Sequence, residues 1–238
     1  MVSGQVEALV FDVFGTVVDW RGSVIQEGEK LGRAVQSEVD WPRFADAWRK
    51  EGYVDAIARI RRGEAPWASA DELHRRKLDE LLERFGIRGL AEDEIDRFNR
   101  VWHRLTPWPD ALPGLTRLKA RFVISPLSNG NFALLTNMAK RAGLPWDCII
   151  SAELTRKYKP EREVYLSAPA LLGLQPAEVM VVAAHLNDLE GARAAGLGTA
   201  FVPRPLEHGP DGPRQAEPGP SIDVVAKDFV ELAERLGA

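Results

Sequence analysis

Some parts of this chain show the short apolar runs of β-strands, and others show apolar positions at helical spacing. The changes between these two patterns divide the chain into segments. The apolar run at residues 9–11 predicts a buried β-strand. Between residues 21 and 100, charged and apolar positions recur with helical spacing and predict four or so helices and no strand. From Pro107 onward, short apolar runs alternate with amphipathic stretches, which is typical of a parallel sheet covered by helices on both faces.

The second half of the chain predicts a regular succession of elements. Strands are expected at residues 122–127, 147–151, 179–184 and 198–202, and helices at residues 131–142, 161–172 and 188–195. The proline-rich polar stretch 203–220 predicts a surface loop, and residues 225–236 predict a final helix. The expected fold class is α/β, with a Rossmann-like parallel-sheet core formed by residues 1–18 and 105–238 and an inserted helical cap domain at residues 19–104.

Composition limits the partners that this chain can have. Its formal net charge of −4 offers no basic surface to nucleic acid, and no apolar run has the length of a membrane span. The first residues lack a signal-peptide pattern, and Cys148 as the single cysteine cannot form an internal disulfide, so the cytoplasm is the expected location. The four histidines are scattered and show no zinc-ligand spacing.

Two polar residues stand where predicted strands end. Asp12 follows the first strand, at the sheet edge where open α/β proteins place reactive groups, and a carboxylate there can act as a covalent nucleophile. Thr16 follows in a turn. Ser128 ends a later strand just before a helix, so its hydroxyl and the free backbone amides of the helix start can bind an anion.

These residues belong to motifs that resemble, in order along the chain, those of the haloacid dehalogenase superfamily. The matching stretches are residues 9–20 (motif I), Ser128-Asn129-Gly130 (motif II), Lys159-Pro160 with Tyr165 (motif III) and residues 181–192 (motif IV). Trp48-Arg49, on a predicted cap helix, resembles the Trp-Arg pair of the (S)-2-haloacid dehalogenases of type II. The resemblance spans nearly the whole chain and implies a hydrolase of short 2-haloalkanoic acids.

Two departures from the phosphatases of the superfamily favour dehalogenation. Phe14 replaces their acid/base aspartate, and Ala183 and Ala184 stand where a metal-binding acid is usual, so no cofactor and no metal are expected. Asp12, Asp188 and a carbonyl still offer oxygen ligands for magnesium, so a phosphatase remains an alternative. A noncatalytic relative that keeps the fold is the second alternative.

Motif IV also departs from the commoner dehalogenase pattern Ser-x-Asn-x-x-Asp. Ala183 replaces the serine, His185 replaces the asparagine, and only Asp188 is retained. This resembles a subset of dehalogenases with an Ala-His pair, some of which accept fluoroacetate. The resemblance therefore suggests fluoroacetate as an additional substrate.

The resemblance implies a two-step reaction. Asp12 would displace the halide from C2 and form an aspartyl ester, and Asp188, together with His185, would activate the water that hydrolyses this ester. Lys159 would offset the charges of both aspartates, and Thr16 would orient Asp12.

The remaining candidate residues are expected to bind the substrate and the departing halide. Ser128 and the backbone amides of Val13 and Phe14 would bind its carboxylate, whereas Arg49 and Asn129 would receive the halide. For Tyr165, contact with Asp188 and packing of a helix on the sheet are both open. The expected partners are a small haloalkanoic acid and halide, with no nucleic acid and no membrane. Related dehalogenases are often homodimers, so a homodimer is open too.

Overall fold

The structure is a computed structural model that describes residues 6–213 and 215–238. By their contacts, these residues form two compact units. The core unit comprises the described residues up to Asp19 and those from Thr106 onward, and the inserted unit comprises Trp20–Leu105.

The core unit is built on a six-stranded sheet. Its strands are β1 (Ala8–Phe11), β4 (Val123–Ser128), β5 (Ile150–Ser151), β6 (Val179–Ala183), β7 (Gly198–Phe201) and β8 (Val224–Val225), and β2 (Val18–Asp19) pairs with β3 (Thr106–Pro107) in a separate antiparallel ladder. The order in the sheet is β5-β4-β1-β6-β7-β8, and all neighbouring strands are parallel. Strands β1 and β6 consist of buried apolar residues throughout, as expected for a parallel sheet covered on both faces. The α/β class is confirmed.

Helices account for the rest of the regular structure. The inserted unit contains α1 (Trp20–Ala34), α2 (Trp41–Arg49), α3 (Asp55–Arg61), α4 (Ala70–Arg84) and α5 (Glu92–Asn99), with a π-helical turn at Lys50–Val54 and a 3-10 turn at Arg100–Arg104. The core unit contains α6 (Ala111–Lys119), α7 (Phe132–Ala142), α8 (Arg162–Leu172), α9 (Leu186–Ala194) and α10 (Phe229–Leu236). None of the helices within the described residues has both the length and the apolar character needed to cross a membrane.

The sheet register brings the candidate residues to one edge. Phe11, the last residue of β1, is paired with Pro126 of β4 and with Val182 of β6. The chain segments that leave these three central strands therefore start at the same edge of the sheet, where open α/β folds bind their ligands. The backbone amide of Asp12 extends the ladder, because it donates to the Val182 carbonyl at 3.0 Å.

The C-terminal third differs from the sequence-based prediction in two places. The final helix begins at Phe229 rather than at residue 225, because Val224–Val225 pair with β7 and the Asp228 carboxylate caps the helix by accepting from the Glu231 amide. The stretch 203–220 is not simply a surface loop. Arg204 and Glu207 are buried in it, at 7% and 4% exposure, because both form ion pairs within the core unit.

Aromatic side chains fill the inserted unit. Trp48 of α2 is fully buried and donates from its indole N–H to the His74 carbonyl at 3.0 Å. Its ring meets Trp102 edge-on, with centroids 5.4 Å apart, and Trp102 stacks on the His74 imidazole at 4.0 Å. Helices α1 and α2 approach closely where Gly28 faces the Trp41 indole.

This close approach predicts that Gly28→Ala destabilises the protein although alanine is the better helix former. A Cβ at Gly28 would lie 2.2 Å from Cε3 of the buried Trp41 ring, which cannot retreat without moving α2. Overpacking costs about 1–3 kcal/mol and outweighs a propensity gain of about 1 kcal/mol at most. We expect a thermal unfolding midpoint lower by about 2–4 °C per kcal/mol lost. Gln26→Ala on the exposed side of α1 is the control and should change little; an unchanged or raised midpoint for Gly28→Ala would contradict the packing argument.

Candidate active site

Asp12 is held by the turn that follows β1. The Thr16 hydroxyl donates to Asp12 Oδ2 at 2.8 Å and accepts from the Ala184 amide at 2.9 Å, so the Ala184 contact directs the hydroxyl hydrogen towards the carboxylate. Gly15 provides the positive φ of 86° that this turn requires, and its carbonyl accepts from the Trp108 indole. The turn therefore fixes the orientation of Asp12.

Lys159 connects Asp12 to a second buried carboxylate. Its ammonium lies 2.7 Å from Asp188 Oδ2 and 3.6 Å from Asp12 Oδ1. Asp188 stands in the first turn of α9, where the helix dipole favours an anion, and Tyr165 of α8 donates to its Oδ1 at 2.6 Å. Of the two alternatives for Tyr165, the structure thus shows contact with Asp188, and the same side chain is also fully buried.

His185 lies on the other side of Asp12. Its Nδ1 is 3.0 Å from Asp12 Oδ2, and its Nε2 is 2.9 Å and 3.1 Å from the two carboxylate oxygens of Glu207. The prediction from sequence missed Glu207, because a single glutamate in a proline-rich stretch gives no signal that its side chain turns inward.

Arg204 fixes the loop that carries Glu207. Its guanidinium forms two hydrogen bonds, of 2.6 and 2.8 Å, with the carboxylate of Asp110, and its Nε donates to the Thr16 carbonyl at 2.8 Å. The Glu207 amide donates to the Arg204 carbonyl at 3.0 Å. The loop after β7 is thereby attached to the turn that orients Asp12.

Ser128 and Asn129 shape the end of β4. The buried Ser128 hydroxyl accepts from the Gly130 amide at 3.1 Å, and the Asn129 side-chain oxygen accepts from the Lys159 amide at 2.8 Å. Asn129 is half-buried, and its oxygen is used to position Lys159, so the side-chain NH₂ is the group left to offer an anion.

Val13 and Phe14 are both buried, and the Phe14 ring lies beside the end of β4. The Phe14 ring lies so close to Gly130 that a Cβ there would meet it at 3.2 Å. The buried side chain at position 14 is thus a phenyl group, which carries no exchangeable proton. The core unit brings together ten of the eleven predicted site residues: Asp12, Val13, Phe14, Thr16, Ser128, Asn129, Lys159, Tyr165, His185 and Asp188.

Arg49 belongs to the inserted unit. Its guanidinium lies 4.5 Å from the centroid of the Tyr53 ring and 5.5 Å from that of Trp20, which is cation–π geometry. The two rings hold Arg49 in place within its own unit. Its role towards halide stays a prediction from the sequence motif.

The charges around Asp12 shift its pKa and that of Asp188 in opposite directions. Burial alone would raise the pKa of Asp12, but the Lys159 and His185 charges and the His185 and Thr16 hydrogen bonds lower it well below its usual range. Burial raises the pKa of Asp188, and the nearby negative charge of Asp12 adds to this, against the opposing effects of Lys159 and Tyr165. Asp12 is thus a stable anion, whereas Asp188 is the stronger base of the pair.

The two cations keep their protons. Burial would lower the pKa of Lys159, but Asp188 and Asp12 raise it above its ordinary value. Burial would likewise lower the pKa of His185, but its hydrogen bonds to Asp12 and Glu207 and their charges raise it to about 10. Within the described residues, no cluster of three or more histidine, cysteine or acidic side chains is arranged to hold a metal ion.

The sequence of this chain is similar to those of known hydrolases. The haloacid dehalogenase-like hydrolase family matches residues 6–196. The (S)-2-haloacid dehalogenase 1 of Pseudomonas sp. (strain CBS-3) is 30% identical over 203 residues, which cover 84% of this chain and 85% of that protein.

Two solved structures extend the likeness. The crystal structure of a defluorinating L-2-haloacid dehalogenase is 47% identical, with a TM-score of 0.94 over 98% of this chain and 96% of the other. The L-2-haloacid dehalogenase from Xanthobacter autotrophicus, with chloropropionic acid covalently bound, is 26% identical, with a TM-score of 0.80 over 98% and 99% of the two chains. The chain therefore belongs to the haloacid dehalogenase-like hydrolases and, within them, to the (S)-2-haloacid dehalogenase family.

Proposed function

We propose that this protein hydrolyses the carbon–halogen bond of short (S)-2-haloalkanoic acids and yields 2-hydroxy acids through an ester on Asp12. The observation that carries the proposal is a buried phenyl group, Phe14, two residues after an oriented and anionic Asp12. Halide leaves without a proton, whereas the alcohol that leaves a phosphate ester needs one, and a phenyl ring cannot supply it. The named dehalogenases among its relatives support the same substrate class.

In the first step of the proposed reaction, an Asp12 oxygen attacks C2 from the side opposite the halogen. The C–O bond forms as the carbon–halogen bond breaks, the halide leaves with the electron pair, and C2 is inverted. The backbone amides of Val13 and Phe14, with Ser128, hold the substrate carboxylate in this proposal, and Asn129 binds the halide. For Arg49, which belongs to the inserted unit, halide binding is proposed from the Trp48-Arg49 motif alone. The relative with covalently bound chloropropionic acid supports such an ester.

In the second step, water attacks the Asp12 carbonyl carbon. Asp188 takes one proton from the water, which its raised pKa favours, and Lys159 keeps the two aspartates from repelling each other. When the tetrahedral species collapses, the bond between the carbonyl carbon and the ester oxygen breaks. The departing alkoxide takes the proton back from Asp188, and a further proton goes to solvent. One water is consumed for each halide released.

The proposed function predicts halide release without a metal. After exhaustive chelation, the protein should still release chloride from (S)-2-chloropropionate and give the inverted 2-hydroxy acid, because Ala183 and Ala184 supply no carboxylate for a metal. Asp12→Asn should lower the rate by roughly a thousandfold or more. Activity that is lost on chelation and restored by magnesium would favour the phosphatase alternative. Absence of turnover on a panel of haloacids and phosphate esters would favour the noncatalytic one.

The ester on Asp12 predicts where the oxygen of water goes. In a single turnover in heavy-oxygen water with enzyme in excess, the label should enter the Asp12 side chain, since water attacks the carbonyl carbon and not C2. Peptide mass spectrometry locates the label. Label found in the first-turnover product, with none in Asp12, would show direct attack of water on C2 and remove the ester from the scheme.

We also propose fluoroacetate as a substrate, on the basis of His185 beside Asp12 and the defluorinating relative. Fluoride is a small, hard leaving group that depends more than chloride on a concentrated positive charge nearby. His185→Asn, which removes a charge and a larger ring, should therefore lower kcat/KM for fluoroacetate more than for chloroacetate, by roughly tenfold in the ratio. An unchanged ratio would show that His185 does not discriminate between the two halides. A wild-type protein that releases no fluoride would contradict this proposal.

A further inference from the structure

Both ring nitrogens of His185 face carboxylates. Nδ1 lies 3.0 Å from Asp12 Oδ2, and Nε2 lies 2.9 Å from Glu207 Oε2. A neutral imidazole carries one N–H, so its second nitrogen would direct a lone pair at a carboxylate. Only the imidazolium, which donates from both nitrogens, satisfies the two contacts. A histidine held in this way has no free lone pair and cannot accept a proton from water.

Glu207 is buried, and the loop around it is fixed by hydrogen bonds. It is 4% exposed, and the loop that carries it is attached to the core unit through Arg204. Gly15 leaves the space that its carboxylate occupies, because a Cβ at Gly15 would lie 2.1 Å from Glu207 Oε1. The turn that orients Asp12 thus also forms one wall of the Glu207 site.

The hydrogen bonds distinguish the two oxygens of Asp12. Oδ2 accepts from Thr16 at 2.8 Å and from His185 at 3.0 Å, whereas the nearest cation to Oδ1 is Lys159 at 3.6 Å. Oδ1 has fewer close hydrogen-bond donors than Oδ2 and is therefore the oxygen better placed to attack C2. Oδ2 then becomes the carbonyl oxygen of the ester and keeps both of its donors.

We propose that His185 and Thr16 form the oxyanion hole for ester hydrolysis, and that Glu207 is the positioning residue that keeps His185 protonated and directed at Asp12 Oδ2. This proposal rests on the proposed function. When water adds to the carbonyl carbon and gives a proton to Asp188, the electron pair of the carbonyl bond moves onto Oδ2. The His185 N–H and the Thr16 hydroxyl stabilise this charge without rearrangement, and the pair returns when the hydroxy acid leaves.

The surrounding charges determine the pH range in which His185 is protonated. His185 is faced by Asp12 after β1 and by Glu207 in the loop after β7, while Lys159 and Asp188 act on it through Asp12. Two carboxylates in direct contact raise the His185 pKa to about 10. In the free enzyme, His185 is therefore protonated at neutral pH. Once Asp12 is esterified it carries no charge, so Glu207 is the contacting carboxylate that keeps His185 protonated during ester hydrolysis.

The first test measures protonation and does not need turnover. The chain has four histidines, so the imidazole NMR signals can be followed with pH, and His185→Asn identifies the one from His185. In the wild type, His185 should remain protonated above pH 9. Glu207→Gln, which keeps the shape and removes the charge, should lower the proton affinity of His185 by roughly tenfold or more. Glu217→Gln, an exposed residue of the same loop, is the matched control and should change nothing.

The second test follows the ester. Fluoroacetate and chloroacetate would form the same ester, so its hydrolysis can be followed from either, and chloroacetate serves here. In Glu207→Gln, the Asp12 ester should accumulate as the pH is raised above the lowered His185 pKa, and its hydrolysis should slow by roughly tenfold to a hundredfold while ester formation changes less. Below that pKa, hydrolysis should approach the wild-type rate.

Three results would overturn the proposal. A wild-type His185 that titrates near its ordinary pKa would remove the imidazolium, and an unshifted titration in Glu207→Gln would remove the role of Glu207. Ester hydrolysis that does not respond when His185 loses its proton would remove the oxyanion hole. If no haloacid were turned over, the proposed function would fail by itself, and the histidine titration would still decide whether Glu207 controls His185.

Discussion

The core unit depends on the burial of three carboxylates with two cations at one edge of its sheet. Asp12, Asp188 and Glu207 would each be costly to bury alone, and each is paired with Lys159 or His185 within 3.6 Å. Removing one partner from such a group leaves an uncompensated charge, so the burial of each of the five residues depends on the others. They carry one net negative charge before an anionic substrate arrives, and the remaining attraction for that substrate must come from neutral donors and from other cations.

The sheet makes this arrangement possible by collecting distant parts of the chain. Asp12 follows β1, Lys159 precedes α8, His185 and Asp188 follow β6, and Glu207 follows β7. Because the strands that precede them are parallel, the loops after these strands converge at the same edge. The hydrogen bonds of Thr16 to Ala184, and of Arg204 to the Thr16 carbonyl, then tie the loops after β1, β6 and β7 to one another. The geometry of Asp12 is therefore set by three loops together.

The sequence predicted the parts of this arrangement that have local signals. The apolar run before Asp12 and the alternation of strands and helices after Pro107 give the α/β core, because buried parallel strands need continuous apolar residues. The motifs likewise point to Asp12, Lys159 and Asp188. The two-residue strands β2, β3 and β8 could not be predicted, since so short a pairing leaves no periodicity.

Glu207 shows why part of the site escapes such analysis. Its neighbours in the sequence are those of a polar, proline-rich loop, and nothing local distinguishes it from the exposed Glu217. What turns it inward is long-range: the ion pair of Arg204 with Asp110 and the positive charge of His185. An asparagine in place of His185 would be neutral and would leave Glu207 buried beside Asp12 without a counter-charge. His185 and Glu207 therefore compensate each other's charge, and the Gly15 turn leaves room for the Glu207 carboxylate.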